Sequence, residues 1–357
     1  FKKNDPVNGE MYRPLEITPP IFSNISEKVY VFGSGMSKEV SVNVKSGKAD
    51  ISGFITLNLP KGWSFTPQSI DFQLKLKGQE QTFAFDVTPP NGQSEGEVLA
   101  ITKLDGKIYD RSLVRIEYDH IPTQTLFPQA TSKIVKIDLK RKGQTVGYIM
   151  GAGDEIPASL RQIGYDVWEM NDEDVTAQNL SGLDALIVGV RAYNTKERMK
   201  FHQEKFMEYV KNGGTMIVQY NTNRGLKVKD LGPYPFQVSS DRVTVEEAEV
   251  RILDSKHPLM NSPNKITEKD FEGWVQERGL YFPNEWDTKY QAVLSSNDPG
   301  EEARNGGLLV AQYGKGFYIY TGYSWFRELP AGVAGAYRIF TNMISLGNEE
   351  KLSESKK

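Results

Sequence analysis

The sequence predicts a multidomain fold in which an N-terminal antiparallel β-sandwich is followed by a three-layer α/β domain. Short runs with apolar residues at every second position fill residues 28–118, and this is the period of strands that bury one face. From residue 146 onward, apolar strand-like runs alternate with helical patterns, which is the order of βαβ units around a mainly parallel sheet. Because the two patterns occupy separate stretches, we expect separate domains.

The sandwich prediction depends on short strands separated by turn residues such as Pro89-Pro90-Asn91-Gly92 and Asp105-Gly106. The predicted strands are 29–32, 40–44, 53–59, 72–76, 83–87, 98–101 and 113–118. This density of short strands is typical of an immunoglobulin-like sandwich. We assign residues 1–24 to a linker or arm, 25–122 to the sandwich, and 123–143 to a connector that contains one further strand at 132–139.

The α/β domain is assigned to residues 144–347, and a charged, disordered tail to 348–357. Its predicted strands are 146–150, 167–170, 185–190 and 215–220, and its predicted helices are 156–163, 197–211 and 332–346. The turn Gly314-Lys315-Gly316 joins two apolar runs and predicts a hairpin. This arrangement predicts a three-layer α/β domain of the flavodoxin-like kind.

Composition excludes several classes of function. The chain of 357 residues has a formal net charge of -3 and a pI near 5.9, so no basic field favours nucleic acid. It has no cysteine, which excludes a thiol nucleophile, a disulfide and a cysteine-ligated metal. No apolar run approaches the roughly 20 residues of a membrane span. The chain begins at Phe1 without a leader, so we expect it to be part of a longer protein.

Local motifs give no cofactor, metal or serine-hydrolase site. In Gly151-Ala152-Gly153 the third glycine of a dinucleotide fingerprint would fall at Ile156, so the motif fails, and Asp154 is expected to cap a helix. The three histidines stand far apart in the sequence, and the run 322–326 lacks the second glycine of a nucleophile elbow. We therefore expect no cofactor and no metal in this chain.

Polar and aromatic residues concentrate where the predicted parallel strands end, and ligands bind at that edge in such sheets. The candidates after the strands are Tyr193, Asn194, Gln219, Tyr220, Asn221 and Asn223. Later in the chain the candidates are Trp274, Glu277, Arg278, Tyr323, Trp325 and Arg327. Aromatic faces stack on sugar rings and planar polar groups bind hydroxyls, so the predicted ligand is a glycan. The alternative is that the tryptophans are core or interdomain contacts and that pairs such as Glu277–Arg327 fix loops.

The stretch 146–346 resembles class I glutamine amidotransferase-like domains, including the ThuA-like group. The similar features are the strand–helix order, Gly213-Gly214-Thr215, His257-Pro258-Leu259 and the turn from Tyr313 to Gly316 that leads into Tyr320-Thr321-Gly322. The resemblance implies a nucleophilic cysteine after the fourth strand, where this chain has Tyr220 or Asn221, and a late histidine that is also missing. It therefore implies the fold without the activity.

The whole chain is similar to the C-terminal region of Bacteroidetes-type PIG-L/LmbE-like deacetylases. The stretches that carry this resemblance are 273–281 and 327–332, together with 59–63, which is similar to an alpha-galactosidase-associated sandwich. The resemblance implies a zinc-dependent N-acetyl-sugar deacetylase domain as partner within the parent protein, and a periplasmic or secreted location. The zinc motif His-Pro-Asp-Asp-Glu is absent here, since the His257-Pro258 pair continues as Leu259-Met260.

Three hypotheses follow. The first is a non-catalytic accessory region that binds carbohydrate or acts as a scaffold. The second is a carboxylate-dependent hydrolase that acts on glycans through Asp154, Glu155 or Glu277, and it loses its best residue if Glu277 and Arg327 form a closed ion pair. The third is a pure scaffold in which Trp274 and Trp325 are buried between domains.

Overall fold

The computed structural model describes residues 2–7, 9–12, 15–118 and 120–348, and the chain divides into two compact units, Phe1–Ile137 and Asp138–Lys357. Strands outweigh helices over the described residues as a whole, so the prediction of a β-rich, multi-sheet protein is confirmed. Except for Asn348, the predicted tail lies outside the described residues.

The described part of the first unit contains fourteen strands. Their bounds are β1 Lys2–Asp5, β2 Gly9–Tyr12, β3 Ile21–Ile25, β4 Val29–Phe32, β5 Lys38–Ser46, β6 Ile51–Asn58, β7 Ser64–Thr66, β8 Ile70–Leu74, β9 Glu80–Thr88, β10 Ser94–Leu104, β11 Lys107–Tyr109, β12 Val114–Tyr118, β13 Ile121–Leu126 and β14 Thr131–Lys136. One sheet has the order β4-β14-β10-β6-β8 with β11 on β10, a second has β3-β5-β9-β7, and β1–β2 and β12–β13 are hairpins.

The two larger sheets of the first unit share one hydrophobic core. Val42 and Phe85 belong to the smaller sheet, Ile55 and Val98 to the larger one, and all four lie in the same buried cluster. Period-2 alternation in β5 and β9 places their apolar side chains on this common face. Trp63 closes the core with its ring edge-on to Phe32 at 5.0 Å.

The first unit differs from the sequence prediction in two respects. Residues 1–24 were assigned to a linker or arm, yet they contain the hairpin β1–β2 and most of β3. The strand β3 pairs with β5, and its residues Ile21 and Phe22 are buried. The segment 123–143 was assigned to a connector with one strand at 132–139; that strand is present as β14, but it belongs to the sandwich, because it pairs antiparallel with β10 and parallel with β4. The sandwich is therefore not purely antiparallel.

Between Asp138 and Asn348, the stretch of the second unit that the structure describes, there are eleven strands and six α-helices. The strands are β15 Thr145–Ile149, β16 Asp166–Glu169, β17 Ala185–Val188, β18 Thr215–Gln219, β19 Phe236–Val243, β20 Val250–Ile252, β21 Gly279–Trp286, β22 Gln291–Ala292, β23 Leu294–Ser296, β24 Leu308–Tyr313 and β25 Gly316–Thr321. The helices are α1 Ile156–Gln162, α2 Ala177–Ser181, α3 Ala192–Thr195, α4 Met199–Lys211, α5 Trp325–Glu328 and α6 Ala334–Ser345, with 3-10 turns at Asp172–Asp174, Pro258–Met260 and Glu268–Phe271.

A seven-stranded sheet organises the second unit in the order β16-β15-β17-β18-β25-β24-β22. The first five strands are parallel, and β24 turns back on β25 as the predicted hairpin. Phe206 of α4 packs in one cluster with Met216 and Val218 of β18. Because side chains alternate along a strand, Thr215 faces the opposite side, where its hydroxyl bonds to the carbonyl of Leu346 after α6. Two small antiparallel pairs, β19–β21 and β20–β23, complete the unit.

Candidate ligand-binding site

A cleft of about 690 Å³ opens at the carboxyl ends of β17 and β18, beside β19 and β21. Ligands bind at this edge in sheets of parallel strands because the loops diverge there. The cleft is lined by Arg191, Tyr220, Thr222, Asn223, Arg224, Ser240, Arg242, Leu280 and Tyr281. This lining contains three arginines and no carboxylate, so the cleft carries a local positive charge on a chain that is negative overall.

Two of the cleft residues have a left-handed backbone. Arg191 has φ 57° and Tyr281 has φ 54°, a conformation that costs a residue with a side chain about 1–3 kcal/mol. Arg191 is held there because its amide donates to the carbonyl of Tyr220 at 2.8 Å. The Tyr281 ring stacks on that of Tyr220 with centroids 6.0 Å apart and an interplanar angle of 7°. Such outliers cluster at functional sites, so their meeting at one cleft supports a ligand-binding role.

Asparagine side chains brace the loop that follows β18. The Asn221 side chain accepts from the amide of Tyr193 at 3.0 Å and donates to the carbonyl of Gln219 at 2.9 Å. The Asn194 amide group donates to the carbonyls of Thr222 and Arg224 at 3.1 and 3.0 Å and accepts from the Thr222 amide at 2.9 Å. These predicted candidates therefore support the cleft wall and do not line it.

The loop after β15 approaches this wall closely at Gly151. A Cβ atom built on Gly151 would lie 2.1 Å from the carbonyl oxygen of Val190 and 2.7 Å from the amide nitrogen of Ala192. Both contacts are with backbone atoms, which cannot rotate away as a flexible side chain can. Close packing against the backbone of Val190 and Ala192 therefore explains why position 151 is a glycine, without a dinucleotide-binding role.

Gly151→Ala is expected to lower the free energy of unfolding by about 1–3 kcal/mol, because the backbone must move to admit the methyl group. Urea unfolding of the whole chain measures the effect. Gly35→Ala is the matched control, since its added methyl group meets nothing within 4 Å, and it should change stability by less than about 0.5 kcal/mol. Equal effects of the two substitutions would contradict the close approach at Gly151.

Several predicted ligand-binding residues lie in the core of the second unit. Trp325 is fully buried, Trp274 is 4% exposed, and their rings meet edge-on with centroids 5.1 Å apart. Trp325 Nε1 donates to Thr321 Oγ1 at 2.7 Å, and Tyr323 is buried with its hydroxyl bonded to Ser296 at 3.0 Å. Core packing accounts for these aromatic side chains. Tyr220 and Asn223 are the two predicted residues that line the cleft.

Glu277 and Arg327 form a closed ion pair. Arg327 Nε lies 2.7 Å from Glu277 Oε1, and Arg327 also donates to the side chain of Gln276. Arg278 is buried and donates from Nε to the carbonyl of Ala248 at 2.8 Å and from Nη1 to that of Phe271 at 2.6 Å. These three predicted residues therefore fix the loop before β21.

Asp154 belongs to a buried network beneath the cleft wall. The Tyr148 hydroxyl donates to its two carboxylate oxygens at 2.6 and 2.7 Å, and the amide of Ile156 donates at 3.1 Å. Burial raises the pKa of Asp154, and these hydrogen bonds oppose the rise. Gln219 Nε2 donates to the Tyr148 hydroxyl at 2.8 Å, while Gln219 Oε1 is buried without a hydrogen-bond partner among the described residues. The helix α1 begins after Glu155, which holds the N-cap position predicted for Asp154.

Sequence reasoning missed much of the cleft. Arg191 and Arg224 follow predicted strands, and Tyr281 lies in the stretch 273–281 that carries the family resemblance, but none of the three was selected as a ligand-binding candidate. Ser240 and Arg242 lie on β19, and Leu280 lies on β21. The sequence pattern did not predict that these strands lie beside the end of β18. The described residues contain no group of three side chains that could hold a metal ion, and no helix among them is long and apolar enough to cross a membrane.

The fold and the cleft define a β-rich protein of two units with an arginine-lined cleft in the second. No family model and no curated protein matches the chain. Among solved structures, a β-galactosidase from Rahnella sp. R3 is similar at 15% identity and a TM-score of 0.37, over 58% of this chain and 32% of that one. A family 123 glycoside hydrolase from Clostridium perfringens is similar at 8% identity and a TM-score of 0.22, over 57% and 38%. The chain thus spans about a third of their length, and likeness at this level assigns no function.

Proposed function

We propose that this chain is a non-catalytic carbohydrate-binding region whose ligand occupies the cleft at the carboxyl edge of the parallel strands. The observation that carries the proposal is the pairing of half-buried aromatic rings, Tyr220 and Tyr281, with side-chain amide and hydroxyl groups from Asn223, Thr222 and Ser240. An aromatic face stacks on the apolar C–H face of a sugar ring, and polar groups beside it bind the hydroxyls.

The charged groups favour binding over hydrolysis. Glycoside cleavage uses two carboxyl groups about 5–9 Å apart across one pocket. The cleft lining contains none, Glu277 is engaged by Arg327, and Asp154 is engaged by Tyr148. Glu155, the third acid of the hydrolase hypothesis, holds the N-cap position of α1 and does not line the cleft. These observations support binding over hydrolysis.

We further propose that the second unit is an amidotransferase-like domain without its nucleophile, within the C-terminal region of a PIG-L-type N-acetyl-sugar deacetylase. The parallel strand order and the Tyr220-Asn221 pair after β18 support the first part, and the sequence resemblance supports the second. The catalytic deacetylase domain of the same parent protein would be the partner, and the location would be periplasmic or secreted. The gene sequence upstream of Phe1 tests this: a zinc-binding His-Pro-Asp-Asp-Glu motif is expected there.

Tyr220→Ala is expected to weaken glycan binding about tenfold, because it removes the ring on which the sugar stacks. A glycan array that includes N-acetylated oligosaccharides identifies the ligand, and calorimetry measures the affinity. Tyr118→Ala is the control, since Tyr118 is 63% exposed in the first unit. If the wild-type chain binds no glycan, the binding function is wrong and the scaffold hypothesis takes its place.

A further inference from the structure

The three arginines of the cleft form no direct ion pair with any acid in the part of the chain that the structure describes. Among the described residues, no hydrogen bond or ion pair involves the guanidinium of Arg191, Arg224 or Arg242. All three side chains are exposed and converge on one cleft from β17, β18 and β19. Their positive charge is therefore available to a ligand.

The acids around the cleft are already engaged by other groups. Glu277 is paired with Arg327 at 2.7 Å, and Asp241 with Arg304 at 3.2 Å. Asp298, which Arg242 attracts at longer range, accepts from the amides of Thr244 and Val245 at 2.9 Å. Among the described residues these carboxylates form no ion pair with Arg191, Arg224 or Arg242, and Asp298 offsets part of the charge of Arg242 at longer range, so the cleft keeps a net positive charge.

Arginine has a specific chemistry toward anions. Its planar guanidinium donates two parallel N–H bonds to a carboxylate or a sulfate, which a lysine cannot do. Asn223 and Ser240 also line the cleft, and the Asn223 side-chain amide donates to Ser240 Oγ at 3.0 Å, so neutral hydrogen-bonding groups accompany the charged ones. A ligand that satisfies this lining has an anionic group next to sugar hydroxyls.

We infer that the cleft binds an acidic saccharide through its carboxylate or sulfate group, with Arg191, Arg224 and Arg242 as the anion-binding residues. This inference rests on the proposed carbohydrate-binding function and adds the charge of the ligand. The aromatic pair Tyr220–Tyr281 holds the ring, and the arginines select rings that carry a negative charge.

Calorimetry on the full chain tests the inference with two pairs of probes. An oligogalacturonide is compared with its methyl ester, and a sulfated galactan oligosaccharide with its desulfated form, so that each pair keeps the same sugar backbone and differs in its anionic group. At least one acidic probe is expected to bind about tenfold or more tightly than its neutral counterpart, and binding should weaken as salt rises. The two pairs distinguish a carboxylate ligand from a sulfate ligand.

Arginine variants locate the site. Arg191→Gln, Arg224→Gln and Arg242→Gln are each expected to weaken binding of the acidic probe about tenfold. Arg224→Lys keeps the positive charge but loses the paired N–H donors of the guanidinium, so its loss of affinity should be intermediate. Arg161→Gln removes the same charge outside the cleft and should bind as wild type does. Circular dichroism confirms that each variant is folded.

Three outcomes would overturn the inference. Equal binding of acidic and neutral probes would leave a carbohydrate-binding chain without charge selection. Acidic binding that survives all the arginine substitutions would place the anion elsewhere. If no acidic or neutral glycan binds the wild-type chain, the proposed function itself is wrong, and the anion site is wrong with it.

Discussion

Glu328→Gln is expected to match the wild-type stability near pH 5 and to exceed it by roughly 3–5 kcal/mol at pH 8.5. The carboxyl group of Glu328 is fully buried in α5, and one of its oxygens, Oε1, has no hydrogen-bond partner among the described residues. The other oxygen accepts from the amide of Val275 at 3.0 Å. Replacing this group with a neutral amide removes the cost of ionising it inside the protein.

The sign of this effect follows from the two pKa values. Burial raises the pKa of Glu328 to about 8, against opposing contributions from the Val275 amide, Arg278 and Arg327. Below the unfolded value of 4.5 the group is protonated in both states, and its contribution to stability is fully present. Between pH 4.5 and 8 the unfolded chain releases a proton that the folded chain retains, so the free energy of unfolding falls as pH rises.

Urea unfolding of wild type and variant at several pH values between 5 and 8.5 measures the difference. Comparison at each pH cancels the other titrating groups, including His257, whose pKa is lowered by burial. Glu204→Gln on the exposed face of α4 is the control and should give a difference that does not change with pH. If wild type and Glu328→Gln differ in their free energy of unfolding by the same amount at every pH, the prediction is contradicted. That result would show that the buried carboxyl group is ionised at neutral pH.

Trp325→Ala is expected to lower the free energy of unfolding by about 3–5 kcal/mol. The side chain is fully buried, packs against Trp274 and Phe340, and donates a hydrogen bond to Thr321. Its removal leaves a cavity, and it leaves the hydroxyl of Thr321, at the end of β25, with only the weaker hydrogen bond from the amide of Tyr323 at 3.3 Å. The variant should lose glycan binding only to the extent that it unfolds.

Thermal unfolding followed by calorimetry measures this loss, and Tyr220→Ala is the contrasting variant because its half-buried ring borders the cleft. Tyr220→Ala should lose binding with a much smaller loss of stability. If Trp325→Ala stays as stable as wild type but no longer binds glycan, Trp325 would be a ligand contact, as the sequence pattern indicated.

The sequence was sufficient to predict the elements that depend on local periodicity. Val29–Phe32 occurs as predicted, and the hairpin around Gly314-Lys315-Gly316 pairs as expected. The pairing of β4 with β14 could not be predicted, because alternation identifies a strand without identifying its neighbour. The burial of Ile21 and Phe22 was likewise hidden, since the preceding Thr18-Pro19-Pro20 is typical of a linker.

The candidate site was predictable only where it follows a strand directly. Tyr220 and Asn223 come after β18, so the rule that parallel strands end at one edge locates them. Arg242 and Tyr281 reach the same cleft through the irregular pairing of β19 with β21, which depends on tertiary contacts between distant segments. Trp274 and Trp325 were predicted as ligand contacts although both are buried, because a buried aromatic cluster and an exposed sugar-binding surface have the same amino-acid composition.

The asparagine-braced loop after β18 has a kinetic consequence. Asn194 and Asn221 fix the backbone from Gln219 to Arg224 before any ligand arrives, so this wall of the cleft is already in the shape that a bound ligand would need. Little conformational entropy is then lost on association. The association rate should therefore be set by diffusional encounter and charge steering, and variants of the cleft should differ mainly in how fast the complex dissociates.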